Sequence, residues 1–476
     1  MAGEGPLAAR WHRLRAAHRF CTMATHHVLG FTVKLLLLLY FAFTILFLVL
    51  RYAVLPNIDH YKGDIERAAS RATGNQVSIS RIYASWNGLR PSLYLGDVAL
   101  RDRQGRQVLA LPSVAATLSW WSVLAGGPRF ESLVFTRPDL DIRREADGRL
   151  YAAGMYLDPD KPSDGKAADW LLSQREIVIR EGRVQWTDKL RAAAASAPPL
   201  ALDGVTFVLR NKWLRHQMAL KATPPAALAA PLDVRVAFTH PAFASRISNA
   251  SMWKGELYAD IRDTDVAAWK NWIDLPFVLN SGGGSLRAWL NFDQSRLTAV
   301  TADVGLRDVS AVLGKDLPLL DLRQLTGRIA AREDAPLVAP AVVKGVGAQK
   351  FGARGHSIEL TNLTLTTSDG LVMAPTSLSE TYVAASGSRA EKIQLRAPQL
   401  DLQTVAGLAQ RLPLTAVQRK LLADAAPRGL LRNFSAEWTG AFPALQSYRV
   451  KGDLVGVGLQ PQPPRPGQPK TAKTPA

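Results

Sequence analysis

The chain has 476 residues, a formal net charge of +18 and 47% hydrophobic residues. That length admits two or three ordinary domains or one elongated repetitive one. The basic residues are spread along the chain, without the dense stripe and interleaved aromatics of a nucleic-acid binder, and the single cysteine, Cys21, excludes an intrachain disulfide framework.

Residues 1–27 form a basic arm, with Arg10, Arg13, Arg15 and Arg19 against one acid, Glu4. Residues 28–55 then read as a transmembrane helix. Its centre is an uncharged run: Leu35, Leu36, Leu37, Leu38, Leu39, Tyr40, Phe41, Ala42, Phe43, Thr44, Ile45, Leu46, Phe47, Leu48, Val49 and Leu50. Lys34 and Arg51 flank the run, where long basic side chains can snorkel to headgroups, and Tyr40 and Tyr52 suit the interface. A helix needs about 20 mostly apolar residues to cross the hydrocarbon, so the segment suffices. The run exceeds the ~7–15 residues of a secretory h-region, and no small-x-small cleavage site follows it. An uncleaved anchor is therefore predicted. The positive-inside rule places the arm in the cytoplasm and the rest of the chain in the periplasm of a two-membrane bacterium.

Residues 57–73 read as a juxtamembrane amphipathic helix. Ile58, Tyr61, Ile65 and Ala69 fall on one face, Asn57 or Asp59 can cap the start, and Gly74 suits the C′ position.

From residue 77 the apolar period changes to two. Leu93 and Leu95 alternate, then Val98 and Leu100 in shifted phase, with the shift at Gly96-Asp97 as a bulge or tight turn would produce. The pattern continues in Leu133/Phe135, Leu140/Ile142, Ile177/Ile179, Val184/Trp186 and Val205/Phe207/Leu209. It continues further in Val234/Val236/Phe238, Leu257/Ala259/Ile261 and Leu286/Ala288/Leu290/Phe292, and in later pairs up to Leu363/Leu365. Turn signals separate many of these: Asp147-Gly148, Glu181-Gly182, Asp203-Gly204, Gly282-Gly283-Gly284 and Asp369-Gly370. Few helices interrupt: a turn at 121–124, a helix at 265–273, and one or two over 402–425 broken at Pro413.

The fold class read from this is mainly β. Residues 77–459 are expected to form one elongated, curled antiparallel sheet of about eighteen strands, because so long a sheet cannot stay flat and open. Its apolar face lines a trough. The candidate lining residues are Leu93, Leu95, Val98, Leu100, Leu133, Phe135, Leu140, Ile142, Ile177, Ile179, Val184, Trp186, Val205, Phe207, Leu209, Val236, Phe238, Leu257, Leu290 and Phe292. Residues 460–476, rich in proline, lysine and threonine, read as disordered.

Catalytic signatures are missing: no G-x-S-x-G, Walker A, H-E-x-x-H or C-x-x-C. His60, His216, His240 and His356 read as solitary surface or turn histidines. Asp158, Asp160 and Asp164 with Gly165 have the wrong spacing for an EF-hand. No enzyme activity, cofactor or metal is expected. Trp86, Trp120, Trp121, Trp186, Trp253 and Trp289 lie on or beside strands, where they fill a β core or stand at the mouth of a trough.

Residues 72–80 (ATGNQVSIS), then Ala84-Ser85-Trp86, Pro91 and residues 93–100 (LYLGDVAL), resemble the opening of the YhdP branch of the AsmA-like envelope proteins. Residues 130–142 (FESLVFTRPDLDI), closed by Asp147-Gly148-Arg149, extend the resemblance, which is closest over 28–150. It implies a β-groove protein anchored in the bacterial inner membrane that carries phospholipids across the periplasm to the outer membrane and supports its permeability barrier. Such proteins are much longer, so this chain is expected to be an N-terminal portion cut in a loop. The alternative is a scaffold or assembly factor that binds outer-membrane protein precursors or other envelope proteins by strand addition. Expected partners are phospholipids and the inner membrane, with no nucleic acid.

Overall fold

The computed structural model describes residues 6–460 except 74, 102–104, 106, 126, 153–154, 158–165, 193–198, 245, 273–276, 334–354 and 442–443. The glycine expected at C′, the acidic turn at 158–165 and the proline-rich tail beyond residue 460 lie outside the described residues.

Helix α1 (Pro6–Val49) begins within the basic arm and runs unbroken through the apolar segment. A π turn at Leu50–Val54 and a 3-10 turn at Leu55–Tyr61 join it to α2 (Lys62–Thr73). The amphipathic stretch is thus a bent continuation of the anchor. Asn57 leaves helical geometry at φ −109°, and its amide donates to the Ala53 carbonyl at 2.9 Å. The expected N-cap at Asn57 or Asp59 is not made, because the chain arrives already helical and leaves no free set of N–H groups to cap. Ile58, Ile65 and Ala69 face the sheet, whereas Tyr61, expected on the same face, is exposed.

Strands β1 (Gln76–Asn87), β2 (Arg90–Arg101) and β3 (Gln107–Leu118) open the sheet as a meander. After α3 (Trp121–Ala125), β4 (Phe130–Thr136) and β5 (Asp139–Arg144) form one bent strand along β3. A hairpin of β6 (Leu150–Ala152) and β7 (Met155–Leu157) and then α4 (Lys166–Ser173) follow. Strand β8 (Glu176–Asp188) therefore pairs parallel with both β4 and β5. This is the departure from a purely antiparallel sheet, made possible by a crossover long enough to return the chain to the same end.

After α5 (Lys189–Ala192), the meander resumes with β9 (Leu200–Lys212), β10 (Arg215–Thr223), β11 (Leu232–Thr239) and β12 (Lys254–Asp265). It continues through β13 (Val278–Asp293), β14 (Arg296–Val312), β15 (Leu320–Glu333), β16 (Gly355–Thr367), β17 (Val372–Val383) and β18 (Lys392–Asp401). Helices α6 (Leu402–Ala409) and α7 (Ala416–Ala425) precede β19 (Arg428–Thr439) and β20 (Ser447–Gly458). The helix expected at 265–273 is only a 3-10 turn, Ala268–Asn271.

The first strand does not present a bare edge. Ser70 Oγ accepts from Val77 N at 2.8 Å, Glu66 Oε1 accepts from Ile79 N at 2.6 Å, and Lys62 Nζ donates to Ser80 O at 3.2 Å. Side chains of α2 thereby stand in for a missing neighbour strand and protect an edge that could otherwise pair with another chain.

A crease runs across the sheet, marked by left-handed residues inside strands and at the bend between β4 and β5. Asp97, Arg137, Glu181, Gly204, Asp263, Asp308, Asn362 and Asn433 have φ between 43° and 58°. Asp, Asn and Gly adopt this conformation most readily, since their short side chains or missing Cβ relieve the clash. Each such residue shifts side-chain phase by one, so apolar residues on both limbs of the strand point to one face. The signals Glu181-Gly182, Asp203-Gly204 and Gly282-Gly283-Gly284, expected to be turns, are instead crease positions inside the continuous strands β8, β9 and β13. Backbone groups disturbed by the crease find serine hydroxyls on the adjacent strand. Ser80 Oγ donates to Asp97 O and Ser281 Oγ to Asp308 O, while Ser285 Oγ accepts from Asp263 N and Ser377 Oγ from Asn362 N, all at 3.0–3.3 Å.

Residues from both limbs pack into one cluster: Val77, Ile79, Val98 and Leu100 with Ile82, Val114, Leu133 and Ile177, closed by Ile58 and Leu172. Short elements roof the sheet elsewhere. Leu408 of α6 packs on Leu320, Leu322, Leu365 and Met373, and Ala267 on Leu279 and Ala311.

Candidate functional site

Register turns the alternation into a continuous surface. Across successive strands the directly paired residues are Ile82, Leu95, Val114, Phe135, Ile179, Phe207, Leu220 and Val234. The row goes on through Ala259, Ala288, Ala302, Ile329, Leu360 and Leu378. With strands ~4.8 Å apart it spans about 60 Å without a polar side chain. A second row, one pair along the strands, runs Met218, Val236, Leu257, Leu290, Val300, Ala331 and Ile358, and meets a charge at Glu380. Beyond the crease a third runs Val77, Leu100, Leu109, Leu140, Val184 and Leu202.

The opposite face carries charge. Directly behind the apolar row, Asp233, Asp260, Arg287, Asp303 and Arg328 are paired strand to strand. Arg262 donates to Asp260 at 2.6 Å and Arg328 to Asp303 at 2.6 and 2.9 Å, and these bonds hold both carboxyls below their ordinary range. Asp260 is itself buried while its partner Arg262 is exposed, and the Arg328–Asp303 pair is more open to solvent and adds little stability. One sheet face is therefore apolar and the other ionic over the same strands.

The sequence-predicted lining residues fall on the apolar face but differ in access. Val98, Leu100, Leu133, Ile177, Val205, Leu209 and Phe238 are buried in the protein itself. Leu93, Leu95, Phe135, Leu140, Ile142, Ile179, Val184, Trp186, Phe207, Val236, Leu257, Leu290 and Phe292 are half-buried, so only these present surface to a ligand. Sequence reasoning misses Met218 and Leu220 on β10, Ile358 and Leu360 on β16 and Leu378 on β17. The alternation Met218/Leu220 and Ile358/Leu360 is the signal that could have found them.

The structure overturns the solitary reading of two histidines. His216 and His240 stack at 5.1 Å, His216 stacks on Phe238 at 4.8 Å, and Phe238 lies on Trp253 at 4.1 Å. Both histidines are buried, and His216 Nδ1 bonds Asn211 Oδ1 at 2.6 Å. Burial, aided by the neighbouring His240, pushes the His216 pKa down from 6.5 to about 4. The unfolded chain therefore binds a proton near pH 6.5 that the folded chain refuses until about pH 4. Stability should fall as pH drops through that window, flatten below it and be unaffected above it, by roughly 3 kcal/mol at most. Urea unfolding at pH 7.5 and 4.5 should show this loss, and His216→Gln should remove it. An equal pH dependence in the variant would refute the assignment. Among the described residues, no group of three or more His, Cys, Asp or Glu is placed to hold a metal ion.

At one end the sheet meets the anchor. Trp86 on β1 packs on Phe47 at 4.9 Å, and Trp120 after β3 packs on Phe43 at 4.9 Å. Arg51 lies over the Trp86 ring at 5.5 Å. Leu46, Phe47 and Leu50 are half-buried against the sheet, whereas Leu35, Leu36, Leu37, Leu38, Leu39, Phe41, Ile45, Leu48 and Val49 are exposed. Among the described residues, one helical stretch, near the N-terminus, is long and apolar enough to cross a membrane.

A curled sheet with one continuous apolar face, joined to an apolar N-terminal helix, has the form of a protein that shelters apolar molecules. The family model described as YhdP protein matches residues 19–470, and the chain belongs to that family. It is 23% identical over 279 residues to the intermembrane phospholipid transporter YhdP of Escherichia coli K12, a match covering 58% of this chain and 20% of that protein. The chain thus spans about one fifth of the length of that relative. No solved structure matches the chain.

Proposed function

We propose that this chain carries phospholipids along its apolar face, with acyl chains in the trough and headgroups in water. The observation that carries this is the unbroken row from Ile82 to Leu378, half-buried over much of its length. Each methylene removed from water is worth about 0.8 kcal/mol, so a lined path lowers the cost of moving a lipid without any chemistry. The helix around 35–50 spans the bacterial inner membrane once, with the basic arm in the cytoplasm and the sheet in the periplasm. The transported lipid supplies the outer membrane and its permeability barrier.

Lipid extraction or native mass spectrometry of the purified full chain tests the reading. Phospholipid should co-purify in at least equimolar amount. A lipid-free protein, or crosslinks from Leu220 and Ala302 to polypeptide instead of lipid, would favour an envelope scaffold that binds outer-membrane protein precursors by strand addition.

A further inference from the structure

At the membrane end the apolar face stops at a ring of charge. Arg90, Arg129, Glu131 and Arg175 converge with Trp120, Trp121, Phe130, Ser119 and Ser173 around a cavity of about 540 Å³. Glu131 lies two residues before Leu133 and Arg175 two before Ile177, and Leu133 and Ile177 pair directly, so the ring continues the strands that carry the apolar lining. Arg90 and Arg175 share the Glu131 carboxylate at 3.3 and 2.9 Å. Arg129 has no carboxylate partner among the described residues. Three guanidinium charges against one carboxylate leave a surplus of two positive charges around the cavity. Trp120, one of its walls, rests on Phe43 of the membrane helix, and Trp121 is exposed beside it.

We propose that this cavity binds the phosphate of a phospholipid headgroup at the membrane end of the trough. Guanidinium groups match phosphate oxygens in pairs of charge-assisted hydrogen bonds. The tryptophans suit the boundary between headgroup and hydrocarbon. A phosphate held here lets its acyl chains run past Phe130 toward the half-buried Phe135 and Ile179. The site rests on the lipid-carrying reading above. Its chemistry is shared with free phosphate, and the two sources are separable by experiment.

The test uses the full chain in nonionic detergent. Binding of dihexanoyl phosphatidylglycerol and of inorganic phosphate is measured by calorimetry, and co-purified phospholipid is quantified separately. Arg129→Gln with Arg175→Gln should weaken the short lipid about tenfold or more. Glu131→Gln, which removes the competing carboxylate, should tighten it. Circular dichroism checks that both variants fold. Unchanged affinity in the folded double variant overturns the site while leaving the trough reading intact, provided phospholipid still co-purifies. Inorganic phosphate binding as tightly as the short lipid overturns the headgroup assignment in favour of free phosphate. A wild-type chain that binds neither the short lipid nor co-purifying phospholipid overturns both readings together.

Discussion

Phe207→Glu should strip most co-purifying phospholipid from the protein, whereas Val208→Glu, one residue along the same strand, should leave it in place. Phe207 is half-buried between Ile179 and Leu220 in the apolar row. Val208 points to the other face, beside Arg210, Gln217 and Arg235. A carboxylate facing acyl chains has no partner and must hold water or a proton in the path, at a cost of several kcal/mol. On the ionic face the same carboxylate is solvated beside arginines. Lipid recovered per chain is the measurement. Equal recovery from the two variants would show that lipid does not lie along this face. Since each substitution adds one negative charge to the same strand, a general effect of charge cannot imitate the difference.

Gly284→Val should abolish the folded state or lower the thermal midpoint by about five degrees or more. Gly284 has φ 146°, and a Cβ there would sit 2.2 Å from Gly305 O and 2.8 Å from Leu306 Cα. Both are backbone atoms of the paired strand β14, so no side-chain rotation relieves the clash. Relief requires separating β13 from β14 in the middle of the sheet. Such a change belongs with the most damaging class of substitutions, above about 4 kcal/mol. Gly305→Val is the control: a Cβ at that position would meet nothing within 4 Å, so the loss of flexibility alone is tested there. Soluble yield and thermal unfolding of the two variants decide the matter, and a stable Gly284→Val protein would show that the crease is not fixed by this close approach.

Those three glycines show where reading the chain alone stops short. Gly282-Gly283-Gly284 carries every mark of a connection between strands, yet β13 passes straight through it. The same holds at Glu181-Gly182 and Asp203-Gly204. A residue with positive φ serves a reversal or a kink equally well, and only the position of the neighbouring strand distinguishes them. The phase shift is readable at Gly96-Asp97 because apolar pairs flank it closely on both sides. The pairing of His216 with His240 is not readable, because it depends on β10 and β11 lying side by side. The parallel placement of β8 is hidden for a related reason: alternation records which face a side chain takes, not which strand lies next to it.

The uncharged run at 35–50 and the two-residue apolar period after residue 77 determined, from sequence alone, that a membrane anchor is followed by a long one-faced β structure. Both are local properties, set by the length of a hydrophobic helix and the alternation of a pleated strand. Tertiary structure decided the rest. It aligned Ile82 through Leu378 into one row, buried Phe238 and Leu209 while leaving Phe207 and Leu220 accessible, and set Trp86 and Trp120 against the anchor. It also gathered Arg90, Arg129 and Arg175 from three separate strand ends. Register and packing between distant segments fix these features, and residues far apart in the chain carry no local signature of meeting.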